Sequence, residues 1–211
     1  MFVDGRETCY NRAEAQEKVS GEKEGKYCFI GFCAGKREGW IEMVLETERL
    51  YLREMVQGDF QDLCKILQDE ETMYAYEGAF SDREVQEWME KQAVRYQKWG
   101  FGLWAAVRKG TDEMIGQCGL TMQPWKGEEV LEIGYLFRRQ YWHQGFAIEA
   151  ASACKEYAFQ TLHAREVCSI IRDTNLASQK VAMRNGMATM DSWTKHYRGV
   201  DMPHTRYAAT R

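Results

Sequence analysis

No apolar run in the 211 residues approaches the roughly 20 that a helical membrane span requires. The opening stretch, Met1 to Tyr10, is polar and charged and lacks the apolar core of a secretory signal. A basic surplus is also missing. Lys and Arg number 28 against 32 Asp and Glu, a net charge of -4, which argues against a protein built to neutralise a phosphate backbone. Histidine is scarce, at four, and the seven cysteines include no C-x-x-C pair and are odd in number. Without paired His/Cys spacing no metal site is expected. No Gly-Lys-Ser/Thr follows a glycine turn, which excludes a P-loop nucleotide enzyme. Internal repeats and low-complexity segments are absent as well.

What remains is a chain with 45% apolar residues, enough for a globular core. Several of the cysteines, Cys118 and Cys154 among them, sit inside apolar stretches. They read as reduced thiols filling the core of a cytoplasmic protein. Neither membrane nor nucleic acid is expected as a partner.

Residues 1–42 differ from the rest. They are rich in Gly, Glu and Lys around an apolar patch at Tyr27 to Cys33. Two readings stand: a weakly ordered arm, or a translated upstream region with Met43 as the true start. The domain is expected over 43–211. Thr47 to Met55 alternates as a strand. Phe60, Leu63, Cys64 and Leu67 mark one face of a helix. Ser81-x-x-Glu84 is a capping box opening a second helix, with Val85, Trp88, Met89, Gln92 and Tyr96 in one stripe and Gly100 as its stop. Strands follow at Leu103–Arg108, Met114–Met122 and Val130–Phe137. A third helix is expected from Gly145 to Leu162, burying Ala147, Ala151, Cys154 and Ala158. Then come a strand at Val167–Arg172, a helix at Asn175–Asn185 stopped by Gly186, and two strands around the turn at Arg198–Asp201. The order is β-α-α-β-β-β-α-β-α-β-β. It implies a mixed α/β (α+β) domain: a mostly antiparallel twisted sheet with about four flanking helices, and one parallel pair across the third helix.

The run Trp142-His143-Gln144-Gly145-Phe146-Ala147-Ile148-Glu149-Ala150 carries the most information. It follows a strand and opens a helix. Backbone N–H groups there converge at the positive end of the helix dipole, a ready site for a phosphate or pyrophosphate. Gly145 allows close backbone approach, since a Cβ would crowd the anion.

Four pieces in order carry a family resemblance: Leu45 through Arg53, Ile115-Gly116-Gln117-Cys118-Gly119-Leu120, Glu132-Ile133-Gly134-Tyr135 with the run just quoted, and Asn175-Leu176-Ala177-Ser178 with Gly186. Together they resemble the GNAT superfamily of N-acetyltransferases over about residues 45–209, and most of all the ribosomal-protein-alanine acetyltransferase-like subgroup. The resemblance implies a GNAT-like fold with acetyl-coenzyme A as co-substrate. It implies transfer to a primary amine, on a protein N-terminus or a small molecule, and a possible homodimer. It puts the diphosphate on the backbone of Gln144, Gly145, Phe146 and Ala147. The pantetheine arm would lie along the strand edge at Tyr135, Leu136 and Phe137, with Asn175 near the thiol. His143 departs from the pattern, which commonly has Gly or a basic residue there.

Direct attack by an amine calls for a base, because the amine is protonated near pH 7. Glu132 is the candidate, on the fourth strand of the family pattern; the other reading is a strand-edge Glu in a salt bridge. Asn175 is equally readable as an N-cap alone. Glu149 reads as a structural partner of the helix dipole. Where some family members carry a Tyr as proton donor, this chain has Ala182, so Tyr197 or Tyr207, or proximity alone, would have to serve. The acceptor pocket is expected between the first two helices and the final strands, near an aromatic group of Trp88, Tyr96, Trp99, Trp104 and Trp125. The alternative function is a non-catalytic acyl-coenzyme A-binding or sensing module. An intact mass of natively expressed protein tests the boundary: a mass that starts at Met43 is expected if residues 1–42 lie upstream of the true start, and one that includes them sinks that reading.

Overall fold

A computed structural model describes residues 27–28 and 41–211. The strands are β1 (Tyr27–Cys28), β2 (Ile41–Glu46), β3 (Leu50–Arg53), β4 (Leu103–Arg108), β5 (Glu113–Trp125), β6 (Glu128–Phe137), β7 (Glu166–Arg172), β8 (Ala188–Tyr197) and β9 (Val200–Thr210). The helices are α1 (Phe60–Leu67), α2 (Asp82–Trp99), α3 (Phe146–Gln160) and α4 (Leu176–Arg184). The strands form one sheet in the order β1-β2-β3-β4-β5-β6-β7-β9-β8. Every neighbouring pair is antiparallel except β6–β7, which is parallel. The expected mixed α/β sheet with four helices is the one observed.

The elements follow from local chemistry. At the start of α2, Ser81 Oγ accepts from the Glu84 N–H while the Glu84 carboxylate accepts from the Ser81 N–H at 2.8 Å. Gly100 ends that helix with φ 75°. Between β5 and β6, Lys126 and Gly127 both have positive φ, 51° and 89°, and close a tight hairpin. That turn lets both strands run longer than their apolar patterns suggest.

Two expectations are corrected. The first strand of the 43–211 region does not run from Thr47 to Met55. Thr47 instead makes a turn, its N–H donating to the Leu50 carbonyl at 2.8 Å and its hydroxyl accepting from the Leu50 N–H at 3.0 Å. That turn joins β2 to β3, and β2 runs across the expected boundary at Met43. The third helix keeps its small-residue face, but its buried positions are Phe146, Ala150, Ala151, Cys154 and Ala158. Ala147 is turned toward a cavity instead. The rest of the 1–42 segment lies outside the described residues.

Two apolar cores flank the sheet. Leu50 and Leu52 of β3, with Trp104 and Ala106 of β4, face the core that holds α3. Tyr51, Ala105 and Val107 face the core under α1 and α2. Alternation along each strand therefore sends consecutive apolar residues to opposite faces, and a strand covered on both sides reads as unbroken hydrophobicity. Where the sheet meets the chain leaving α2, space is tight. A Cβ on Gly119 would sit 2.0 Å from the Gly102 carbonyl oxygen. Gly119→Ala is therefore expected to cost about 3 kcal/mol or more, read as a lower urea midpoint at unchanged slope; a midpoint equal to wild type would show that this backbone yields.

Candidate active site

The site begins where the sheet opens. Strands β6 and β7 share a single register pair, Glu132 opposite Cys168. Two side-chain links reinforce it, the Ile170 N–H to the Glu132 carboxylate at 3.3 Å and, one residue further along β6, Ser169 Oγ to the Ile133 carbonyl at 3.0 Å. Beyond it, Tyr135 and Leu136 line cavities on both sides of the opening. A strand edge without a neighbour presents N–H and C=O groups to whatever fills the gap.

Two cavities meet there, of about 520 Å³ and about 470 Å³. They share Tyr135, Leu136, Asn175 and Ser178, which form the throat between them. The smaller runs from Tyr135–Phe137 to the start of α3, where Gly145, Phe146 and Ala147 line it, with Lys180 and Arg184 of α4 at its wall.

The helix start presents free backbone N–H groups and is braced from behind. Gly145 is the N-cap, with φ 84° and no side-chain cap. The first backbone bond of α3 runs from the Glu149 N–H to the Gly145 carbonyl, so the N–H groups of Phe146, Ala147 and Ile148 precede the helical ladder. A Cβ at Gly145 would approach Arg49 Nη2 to 3.3 Å, on a backbone that side chains rarely adopt. Arg49 comes from the β2–β3 turn. Its Nη1 donates to the Gln144 carbonyl at 2.9 Å, its Nε to Glu149 at 2.7 Å, and its guanidinium lies 4.3 Å from the Phe146 ring centroid. Glu149 also accepts from Thr47 Oγ1 at 2.6 Å and the Arg49 N–H at 2.8 Å. Burial pushes the Glu149 carboxyl up, but the bonds from Thr47 and Arg49 outweigh it and hold it below its ordinary value. The structural reading of Glu149 thus gains a specific form: it pins the loop.

Of the residues expected to hold the coenzyme, Tyr135, Leu136, Phe137, Gly145, Phe146, Ala147 and Asn175 line the smaller cavity. Phe146 does so with its side chain buried in the core beneath, which leaves the backbone as its contribution. Gln144 does not line it; its side-chain amide turns back to the Gln140 carbonyl at 2.8 Å. His143 does line it, with a left-handed backbone at φ 60°. Asn175 is an N-cap, accepting from the Ser178 N–H at 3.0 Å, and it also faces both cavities. The two readings of Asn175 are compatible.

Glu132 lies at the fork itself, half-buried in the wall of the larger cavity. It accepts from Ile170 N–H at 3.3 Å and Thr121 Oγ1 at 3.2 Å. It makes no salt bridge among the described residues, so the salt-bridge reading is not the one observed. Burial raises its carboxyl above the usual value, although Lys195, those two hydrogen bonds and Arg95 pull the other way. Ala182 is buried and carries no proton donor. Ser178, one turn before it on the same helix face, stands at the throat, and sequence reasoning passed it over. Its spacing to Ala182 was the signal. Its carbonyl accepts from the Tyr135 hydroxyl at 3.1 Å, tying β6 to α4 across the opening. Tyr197 lines the larger cavity, whereas Tyr207 is buried in the core. Of the aromatic group, Trp88 alone lines either cavity; Tyr96 and Trp104 are core residues. The larger cavity is walled by α2, β8, β9 and the turn before α2, close to the expected pocket, but α1 contributes nothing.

An open-forked mixed sheet with a phosphate-ready helix start beside the fork defines an acyltransferase architecture. The match to the family model for the acetyltransferase (GNAT) domain covers residues 49–188. The chain belongs to the GNAT acetyltransferase family. It is similar to the uncharacterized protein YkkB of Bacillus subtilis, 36% identical over 72% of this chain and 90% of the relative. It is also similar to the uncharacterized N-acetyltransferase p20 of Bacillus licheniformis, 32% identical over 65% of this chain and 78% of the relative. Among solved structures, an acetyltransferase from Agrobacterium tumefaciens superposes with a TM-score of 0.68 at 25% identity, covering 84% of this chain and all (100%) of that one.

The brace behind the loop generates a pH prediction. A carboxyl whose folded value is lowered contributes stability that is present above its unfolded value, near 4.3, and lost as pH falls through the folded value. Wild type should therefore lose more stability than Glu149→Gln as pH is taken from about 6 to below about 4. Parallel stability curves for the two proteins would remove this role from Glu149.

Proposed function

We propose that this acyltransferase moves an acetyl group from acetyl-coenzyme A to a primary amine by direct attack in a ternary complex. The observation that carries the reading is the throat, where a cavity ending at a helix start meets a second cavity walled by a half-buried carboxylate. The smaller cavity suits the coenzyme. Gly145, Phe146 and Ala147, with Gln144 beside them, offer backbone N–H groups to the diphosphate. Lys180 and Arg184 add positive charge to the same cavity. Tyr135, Leu136 and Phe137 offer the β6 edge to the amide groups of the pantetheine arm.

Glu132 accepts the proton of the incoming ammonium, directly or through one water, and leaves a neutral amine to attack the thioester carbon. Its raised carboxyl lies closer to an amine than an ordinary Glu, which favours that transfer. The C–S bond breaks as the C–N bond forms, the proton still in excess on the nitrogen passes to the departing sulfur, and Ser178 Oγ donates a hydrogen bond to that sulfur as it leaves. Asn175 orders the helix start on which Ser178 sits. The resemblance to ribosomal-protein-alanine acetyltransferases keeps a protein N-terminus among the candidate acceptors. A non-catalytic coenzyme-binding role is the second reading, favoured by the missing acid at Ala182.

Calorimetric titration of acetyl-coenzyme A into wild type is expected to show binding that Gly145→Asp abolishes, since a carboxylate on the loop repels the diphosphate. A folded wild-type protein that binds no acetyl-coenzyme A overturns the reading, and binding without turnover on any amine selects the second one. For an accepted amine, Glu132→Gln should lower kcat about 10²- to 10⁴-fold. In wild type, kcat/KM should fall as pH drops through a value above the ordinary 4.3 of glutamate, because the protonated carboxyl accepts nothing. An unchanged kcat in the variant removes the base role.

A further inference from the structure

The larger cavity carries a charge imbalance that the fold does not use. Along α2, Glu84, Glu87, Trp88, Lys91 and Arg95 follow one another down the side facing the cavity. The two glutamates are engaged elsewhere, Glu84 with Arg198 and Glu87 with Arg83. Across the cavity, Arg172 is paired with Glu77. Three cations in the lining make no salt bridge among the described residues: Lys91, Arg95 and Lys195. They face one carboxylate that makes none either, Glu132. The cavity thus holds a positive surplus in a chain whose net charge is -4.

Lys91 and Arg95 are one helical turn apart, where like charges destabilise a helix. Arg95 is half-buried and, among the described residues, donates to the neutral Gln92 Oε1, at 3.1 Å. Desolvation lowers both groups, and Arg95 lowers Lys91 further. Lys195 has a partial outlet, with Nζ 5.6 Å from the Trp125 ring centroid. An anion between Arg95 and Lys91 would relieve the repulsion and engage the planar guanidinium in a charge-assisted pair. The volume of about 520 Å³ is that of a small-molecule site. Its apolar wall includes Tyr76 and Trp88, packed edge to face at 6.1 Å.

We propose that the acceptor is a small-molecule amine that also carries an anionic group, a carboxylate or a phosphate, held by Arg95 and Lys91 while its amine meets Glu132. This rests on the acetyl-transfer reading and narrows its substrate class. The arrangement disfavours polycationic amines, which would add to the surplus.

The test uses matched acceptors with acetyl-coenzyme A: L-phenylalanine against L-phenylalaninamide and phenethylamine, and phosphoethanolamine against ethanolamine. Both kcat/KM and equilibrium binding to the coenzyme A complex are measured. In at least one set the anionic member is expected to exceed its neutral partners at least tenfold in either quantity. Whichever set responds tells carboxylate from phosphate. Arg95→Met should bring that ratio to within about threefold of one, mostly through KM, and Arg95→Lys should restore part of it. Lys91→Met, at an exposed position with little folding risk, should lower the ratio at least threefold. Anionic members that bind selectively, in a way that depends on Arg95 and Lys91, but are never acetylated would leave the anion-binding site standing and sink the transfer reading together with the acceptor role built on it. Turnover with equal or better use of the neutral members, no binding by any anionic member, or a ratio that ignores Arg95 and Lys91 overturns the inference. A protein N-terminus preferred over all of these compounds does the same.

Discussion

The structure depends on one parallel strand contact that stops after a single register pair. At Glu132 and Cys168 the sheet is whole; a few residues later it has opened, and Tyr135 and Leu136 face space on both sides. A continuous sheet would satisfy those backbone groups internally and leave nowhere for a long amide-bearing ligand to pair. The fork is held open by chemistry on both faces. Ser169 bonds the Ile133 carbonyl at its base, and Tyr135 reaches across to the Ser178 carbonyl above it. Glu132 sits at the vertex, in the wall of the larger cavity and just before the throat that the two cavities share.

A second dependence runs through Glu149. The helix start that faces the smaller cavity has no side-chain cap of its own. Its shape is fixed instead by Thr47 and Arg49, about a hundred residues earlier in the chain, which grip Glu149 and the Gln144 carbonyl. The arrangement leaves the front of the loop available to an anion while the back is fully bonded. It also explains why the turn between β2 and β3 lies where a longer strand was expected: Thr47 and Arg49 are spent on the loop, not on the ladder.

Much of the fold was legible because its signals are local. The capping box at Ser81, the glycine stop at Gly100 and the small-residue face of α3 all act within a few residues, and each appears where the sequence puts it. The glycine turn at Gly145 was legible for the same reason. Other features were hidden by distance. Ala147 sits within half a turn of buried neighbours, and only the position of α4 decides that it faces a cavity. Ser178 is an ordinary helix residue until β6 is laid beside it. The aromatic residues look alike in sequence, yet Trp104 fills the core and Trp88 lines a wall, because strand and helix faces are assigned by what packs against them.

The sequence by itself determined the order of elements from β3 onward, the caps and stops of the helices, and the glycine turn that opens α3, since these depend on backbone conformation and on side chains close in the chain. Only the tertiary structure decided how wide the fork opens, which residues stand at its throat, and that the cations Lys91, Arg95 and Lys195 line the same cavity as Glu132. Those properties are set by contacts between segments dozens of residues apart. Charge pairing is of that kind: whether a lysine on a helix is neutralised or left facing a cavity depends on where the distant carboxylates fold, and no local pattern records it.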